Sequence, residues 1–212
     1  MEPLWPVIEN LFEISGENRT TVLLLILFGV GFLVYQYGSE WLKHYFRKRL
    51  PNQEKASYIG YIGQRILGFL TFGLIPVLFF NQMICKPLWY FGINFHNLST
   101  SLFWIAVLGI TILVINYFAA KKESNLEQYP QIRLKNWNSK TFTINSITWI
   151  IYLLGYEIMF RGLLLFTLYN AYGLSFSVIA STLLYALVHL PKGQKETLGA
   201  VPLGLILSVI AL

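Results

Sequence analysis

The feature that most constrains this sequence is a series of apolar blocks, each about as long as a membrane is thick. They run over 20–37, 66–80 (extendable to Cys85), 101–118, roughly 142–169, 174–189 and 197–212. A helix needs about 17 to 25 largely apolar residues to cross a hydrocarbon core, and most of the blocks reach or approach that length. Inside lipid the backbone must satisfy its own hydrogen bonds, so the blocks are expected to be helical although β-branched residues are plentiful in them. Charged residues make up only 12% of the chain, against about 25% in a soluble domain. The expected fold is therefore all-α, a polytopic transmembrane helical bundle of about six spans.

The first block is expected to be a retained span. Residues 1–18 carry four Glu and no basic residue, the reverse of the positive region that opens a signal peptide. At the other end, "GLILSVIAL" stops inside an apolar block with no charged or aromatic flank, so further helices are expected beyond it.

Basic residues fix the expected orientation. Lys43, Arg47, Lys48, Arg49, Lys55 and Arg65 follow the first block. Lys121, Lys122, Arg133, Lys135 and Lys140 follow the third, and Lys192 and Lys195 the fifth. Arg19 and Lys86 fall on the other side, and Arg161 lies within a block. The bias puts the N-terminus outside and the basic loops in the cytoplasm. It also accounts for the net charge of +6 without nucleic acid, because the charges segregate by loop and no nucleic-acid-binding motif is visible. Anionic lipid headgroups are the expected partners of those loops. Trp5, Trp41, Trp89 and Trp137 fall near block ends, as an interfacial belt requires. The longest polar stretch, 119–141, is too short for a separate core, and Cys85, the one cysteine, excludes an intrachain disulfide.

One stretch breaks the apolar pattern. "YEIMFRGLLLF", residues 156–166, places Glu157 and Arg161 four residues apart in the favourable order, acid first, so that they can meet on one helix face. Ionisable residues at membrane depth are costly and face a bundle interior or a watery cavity, while replacing such a pair by apolar residues is often neutral or stabilising. The pair is thus expected to serve something beyond stability. His189 closes "STLLYALVHL" in the next block. Counting ~1.5 Å per residue from the turn between the two blocks puts Glu157 at ~20 Å and His189 at ~22 Å, nearly level. A carboxylate and an imidazole in one wet cavity can hold and deprotonate a water molecule. Gly162, beside Arg161, would permit a close helix crossing there.

"YEIMFRG" followed about thirty residues later by "LLYALVHL" resembles the first two motifs of the CPBP intramembrane proteases, the CAAX prenyl protease and bacteriocin-processing group, Glu-Glu-x-x-x-Arg and Phe-x-x-x-His. The resemblance covers roughly 149–212. It implies that Glu157, Arg161 and His189 are catalytic, and that Tyr156 and Tyr185 stand where the motifs hold their first Glu and their Phe. The implied activity is hydrolysis of a peptide bond in a peptide or membrane-protein substrate by an activated water, without an acyl-enzyme. Tyr156 replaces the motif's usual water-activating carboxylate, and a phenol of pKa about 10 is a poor base, so Glu157 would have to take that role. The family's later His and Asn or Asp do not follow His189 in this chain. No cofactor is expected: a divalent metal would find only Glu157 and His189, where catalytic zinc takes three protein ligands. The competing expectation is a non-catalytic relative that binds, scaffolds or confers bacteriocin immunity through the same cavity. The chain divides on this reading into N-terminal helices over 1–140 and motif-bearing helices over 141–212.

The charge distribution generates a topology test. In a background lacking Cys85, single cysteines at Glu13 and Asn94 are expected to label from outside intact cells and cysteines at Lys48 and Lys135 are not; the opposite labelling would overturn the orientation.

Overall fold

The computed structural model describes residues 17–83, 87–94, 96–126 and 129–212. The acidic N-terminal stretch to residue 16, with Trp5, and Cys85 and Lys86 lie outside them. The described residues are helical with no strand among them. Helix α1 is Glu17–Arg49, α2 is Gln53–Phe69, and a π-helical segment, Leu70–Leu74, carries α2 directly into α3, Ile75–Met83. A 3-10 turn at Leu88–Phe91 precedes α4 (Leu98–Ala119) and the short α5 (Glu123–Leu126). Helix α6 (Ser139–Glu157) runs through a second π segment, Ile158–Leu164, into α7 (Leu165–Tyr172). Helix α8 (Leu174–Leu187), a 3-10 turn at Leu190–Lys192 and α9 (Gln194–Ala211) complete the chain.

Five of these stretches are long and apolar enough to cross a membrane: Arg19–Arg49, Gln53–Gln82, Leu98–Ala119, Ser139–Tyr172 and Leu174–Lys192. They correspond to the first five apolar blocks. The sixth block forms α9, whose first turn is the polar Gln194, Lys195 and Glu196 and which holds Pro202 inside.

Local chemistry sets several helix boundaries. Asn52 and Asn138 accept bonds from the backbone N–H groups of Lys55 (3.0 Å) and Thr141 (2.8 Å), capping the starts of α2 and α6. Arg47, Lys48 and Arg49 crowd the last turn of α1, where they oppose the negative end of the helix dipole. Gly173 holds φ 81° and ψ −179°, a conformation that side-chain-bearing residues avoid, and it turns the chain from α7 into α8.

The chain forms two compact units, each assembled from separated stretches. Helices α1 and α6 each contribute to both. One unit takes Tyr35–Gly68 and Asn94–Tyr152. In it α1 and α2 approach through glycines: a Cβ on Gly38 would stand 2.8 Å from Leu67 Cδ2, and one on Gly60 3.2 Å from Lys43 Cα. Tyr35 stacks on Tyr152 with ring centroids 5.8 Å apart and accepts a bond from Gln64 Nε2 at 3.1 Å. Helix α4 buries none of its residues, and Phe103, Ile105, Ile110 and Leu113 stand bare on different sides of it, a surface suited to hydrocarbon. Arg65 departs from its expected place in a loop. It is buried on α2, where Nη1 donates to the Asn145 carbonyl at 3.1 Å and to Asn145 Oδ1 at 2.8 Å.

The other unit takes residues up to Val34, with Phe69–Ile93 and Leu153–Leu212. Its core is Leu24, Phe28, Phe72, Phe80, Met159, Phe160 and Leu163–Leu165, all nearly inaccessible. Both π segments belong to it, and a close helix crossing joins their surroundings. A Cβ on Gly155 would stand 2.9 Å from Phe69 Cα, and one on Gly73 2.9 Å from Gly155 Cα. The close crossing is therefore made by Gly155 and Gly73, while Gly162 faces Ile93 and the Phe91 carbonyl after the 3-10 turn. Helix α9 leans on α8 at Gly204, where a Cβ would lie 3.1 Å from Tyr185 Cδ1.

Because Gly155 meets backbone, no side chain can move aside for a larger residue. Gly155→Val is expected to cost about 1–3 kcal/mol through overpacking, read as lost monodisperse protein in detergent. Gly109→Ala, with nothing within 4 Å of the added carbon, should leave the yield unchanged. Equal behaviour of the two would remove the crossing.

Candidate functional site

The site lies within one unit, on the hairpin of α6–α7 and α8. Glu157 ends the α-helical part of its span and the π segment begins at the next residue. Such π turns occur most often at functional sites. Arg161 sits inside the segment with its side chain 8% exposed, and Glu157 is 40% exposed. Arg161 Nε stands 3.3 Å from Glu157 Oε2, an ion pair without hydrogen-bond alignment. The guanidinium carbon lies 4.2 Å from the centroid of the Tyr185 ring, a cation–π contact. Nη1 and Nη2 are buried with no hydrogen-bond acceptor. Arg161 is thus held by one carboxylate and one aromatic face, and two of its donor groups remain available.

His189 follows the end of α8. Its Nδ1 lies 2.8 Å from the Tyr185 carbonyl oxygen. A carbonyl can only accept, so Nδ1 carries the proton and, in the neutral ring, Nε2 keeps the lone pair. The imidazole packs against Tyr185, with centroids 4.8 Å apart, and edge-on to Tyr156 at 6.0 Å. Tyr156 also touches Phe72 and Tyr185, at 5.6 and 5.7 Å. Ser181 ties the hairpin together by donating to the Phe160 carbonyl at 3.2 Å, within the π segment.

The five residues singled out in the sequence are placed as two linked groups. Glu157, Arg161 and Tyr185 form one, and Tyr185, Tyr156 and His189 the other. The near-equal depth inferred for the two helices agrees with the contacts, since Tyr156 reaches His189 and Phe160 packs on Tyr185 at 5.3 Å. The side chain presented to the imidazole is nevertheless that of Tyr156. Glu157 makes no ion pair with His189 and turns to Arg161 instead. Sequence reasoning missed Ser181, Phe72 and Gly204. Only Gly204 had a legible signal, a small residue amid large apolar ones.

A metal finds no group of three His, Cys, Asp or Glu side chains among the described residues. Glu157 and His189 turn toward different neighbours, Arg161 and the Tyr185 carbonyl. His44 and His96 fall in the other unit.

The fold and this hairpin define an α-helical membrane protein carrying a carboxylate, a guanidinium and an imidazole on adjacent helices. Residues 136–212 match the family described as type II CAAX prenyl endopeptidase Rce1-like, which agrees with the CPBP resemblance of its two motifs. The matched region contains all five site residues. Comparison with curated proteins and with solved structures gives no match.

Arg161 is the more deeply buried partner, and this orders the outcome of a double-mutant cycle. Glu157→Leu leaves a buried guanidinium without its counter-charge and is expected to cost more folded protein in detergent than Arg161→Leu, by about 1–3 kcal/mol. The double change should recover much of that loss. Additive effects of the two single changes would mean that the side chains do not interact.

Proposed function

We propose that the chain contributes to a CAAX-type intramembrane peptidase of the plasma membrane, with His189 Nε2 as the base that activates water. The observation that carries this reading is the bond from His189 Nδ1 to the Tyr185 carbonyl, which leaves Nε2 as the unprotonated nitrogen. In the proposed reaction Nε2 takes a proton from water while the oxygen attacks the carbonyl carbon of the scissile peptide bond. The tetrahedral intermediate then collapses, the C–N bond breaks and the proton passes to the leaving amine. Glu157 supplies negative charge nearby, and Arg161, with Nη1 and Nη2 unpaired, offers donors to a substrate carbonyl or carboxylate. The substrate would be a peptide or the tail of a membrane protein. With the N-terminus outside and the basic loops in the cytoplasm, it would enter from the cytoplasmic side. Moving Arg65 from the loops to the interior leaves the charge asymmetry behind this orientation intact.

A second reading is favoured by Tyr156. The side chain beside the imidazole is a phenol and not a carboxylate, the arrangement suited to a non-catalytic relative that captures a peptide or partner without cleaving it.

Peptidase assays in membranes separate the two. His189→Ala is expected to lower cleavage at least about 10²-fold, the scale of lost general-base catalysis, with folding retained. Tyr156→Glu should raise it by putting a carboxylate beside the imidazole. Cleavage unaffected by His189→Ala would end this mechanism. Absence of cleavage in both the native chain and Tyr156→Glu, with partner capture retained, would establish the binding reading.

A further inference from the structure

The unit that does not hold the hairpin site has a buried charge of its own. Arg65, 6% exposed, forms no ion pair with a carboxylate of the described residues, so it is there a buried cation with no anionic partner. Its guanidinium is fixed by neutral groups. Nη1 donates to Asn145 and Thr148, the carbon lies 4.5 Å from the centroid of the Trp149 ring, and Nε is buried without an acceptor. A guanidinium held in this way is oriented but not neutralised, and such intramembrane cations mark binding or transport sites by default.

A cavity of about 310 Å³ opens beside it, lined by Arg65, Tyr129, Gln131, Trp137, Asn145 and Trp149, among others. That volume holds on the order of ten waters, ample for a phosphodiester. Ile150, also on the lining, is 64% exposed, and Ile147 on the same helix is 50% exposed. An apolar path therefore leads away from the charged end. The depth also fits. The helix carrying Arg65 runs without interruption from Gln53 to Gln82, 30 residues, or ~45 Å, longer than the ~30 Å hydrocarbon core, and Arg65 lies ~18 Å from its start. Trp137 and Trp149 are the aromatic type found at that level.

We infer that this cavity is a binding site for the phosphate of an anionic phospholipid, with Arg65 as its counter-charge, Trp137 and Trp149 walling the headgroup, and an acyl chain running along Ile150 and Ile147. The site is independent of the hairpin chemistry. A headgroup there ties the cytoplasmic-side loop at Tyr129–Trp137 to α2 and α6, so lipid composition would act on the stability of this unit.

The test is thermal unfolding of the full chain in a neutral detergent, titrated with phosphatidylglycerol, phosphatidylcholine or inorganic phosphate. Phosphatidylglycerol is expected to raise the midpoint saturably, and phosphatidylcholine and inorganic phosphate to do so weakly or not at all. Arg65→Gln should weaken the phosphatidylglycerol response by about tenfold or more, the loss of one charge-assisted contact. Because that variant can also disturb folding, Ser146→Asp is the second arm. Ser146 lines the cavity, so the carboxylate should replace the lipid phosphate, giving a lipid-free midpoint at or above that of the native chain and no phosphatidylglycerol response. Equal protection by phosphatidylcholine, or by inorganic phosphate, would overturn the lipid assignment. A phosphatidylglycerol response that persists in Ser146→Asp would overturn the location.

Discussion

The organising constraint on this protein is that backbone groups inside hydrocarbon must find their partners within the protein. It turns each apolar block into a helix and leaves little room for irregular chain. The two departures from regular helix in mid-span, the π segments Leu70–Leu74 and Ile158–Leu164, stand on either side of the Gly73–Gly155 crossing. Each keeps backbone bonds inside its own segment while changing the direction in which later side chains point. Tyr156, Glu157 and Arg161 are grouped at the start of one of them. The irregularity is concentrated where the chemistry is.

Two buried arginines illustrate two ways of carrying a charge at depth. Arg161 is paired with a carboxylate one turn away and lies on an aromatic face, so its neutralisation is encoded within eleven residues of sequence. Arg65 is held by an amide, a hydroxyl, a backbone carbonyl and an indole, none of which carries negative charge. The first arrangement can be complete in itself. The second calls for a counter-ion from outside the described chain, and the membrane is the richest source of one.

The aromatic residues around the hairpin have a positional role as well as a packing one. Tyr185 shares its ring with Arg161 and His189, and its carbonyl sets the tautomer of His189. A change at this residue would therefore disturb both groups of the site. Gly204 is the reason α9 can approach it, since any side chain there would meet the Tyr185 ring and Thr182.

The sequence by itself determined that the chain is a helical membrane protein, that Glu157 and Arg161 form a pair, and that His189 lies at nearly the depth of residue 157. All three depend on properties that repeat regularly along a chain: apolar length, the spacing of four that brings side chains together on a helix, and the fixed rise per residue. The tertiary structure decided which side chain meets the imidazole. Adjacent residues on a helix point about 100° apart, so a count that is right about depth leaves the facing residue open between Tyr156 and Glu157, and the rotation of the packed helices selected Tyr156. The same limit hid the place of Arg65. Its position in the sequence reads as the end of a polar loop, and only the packing of α2 against Asn145, Thr148 and Trp149 makes it an interior charge.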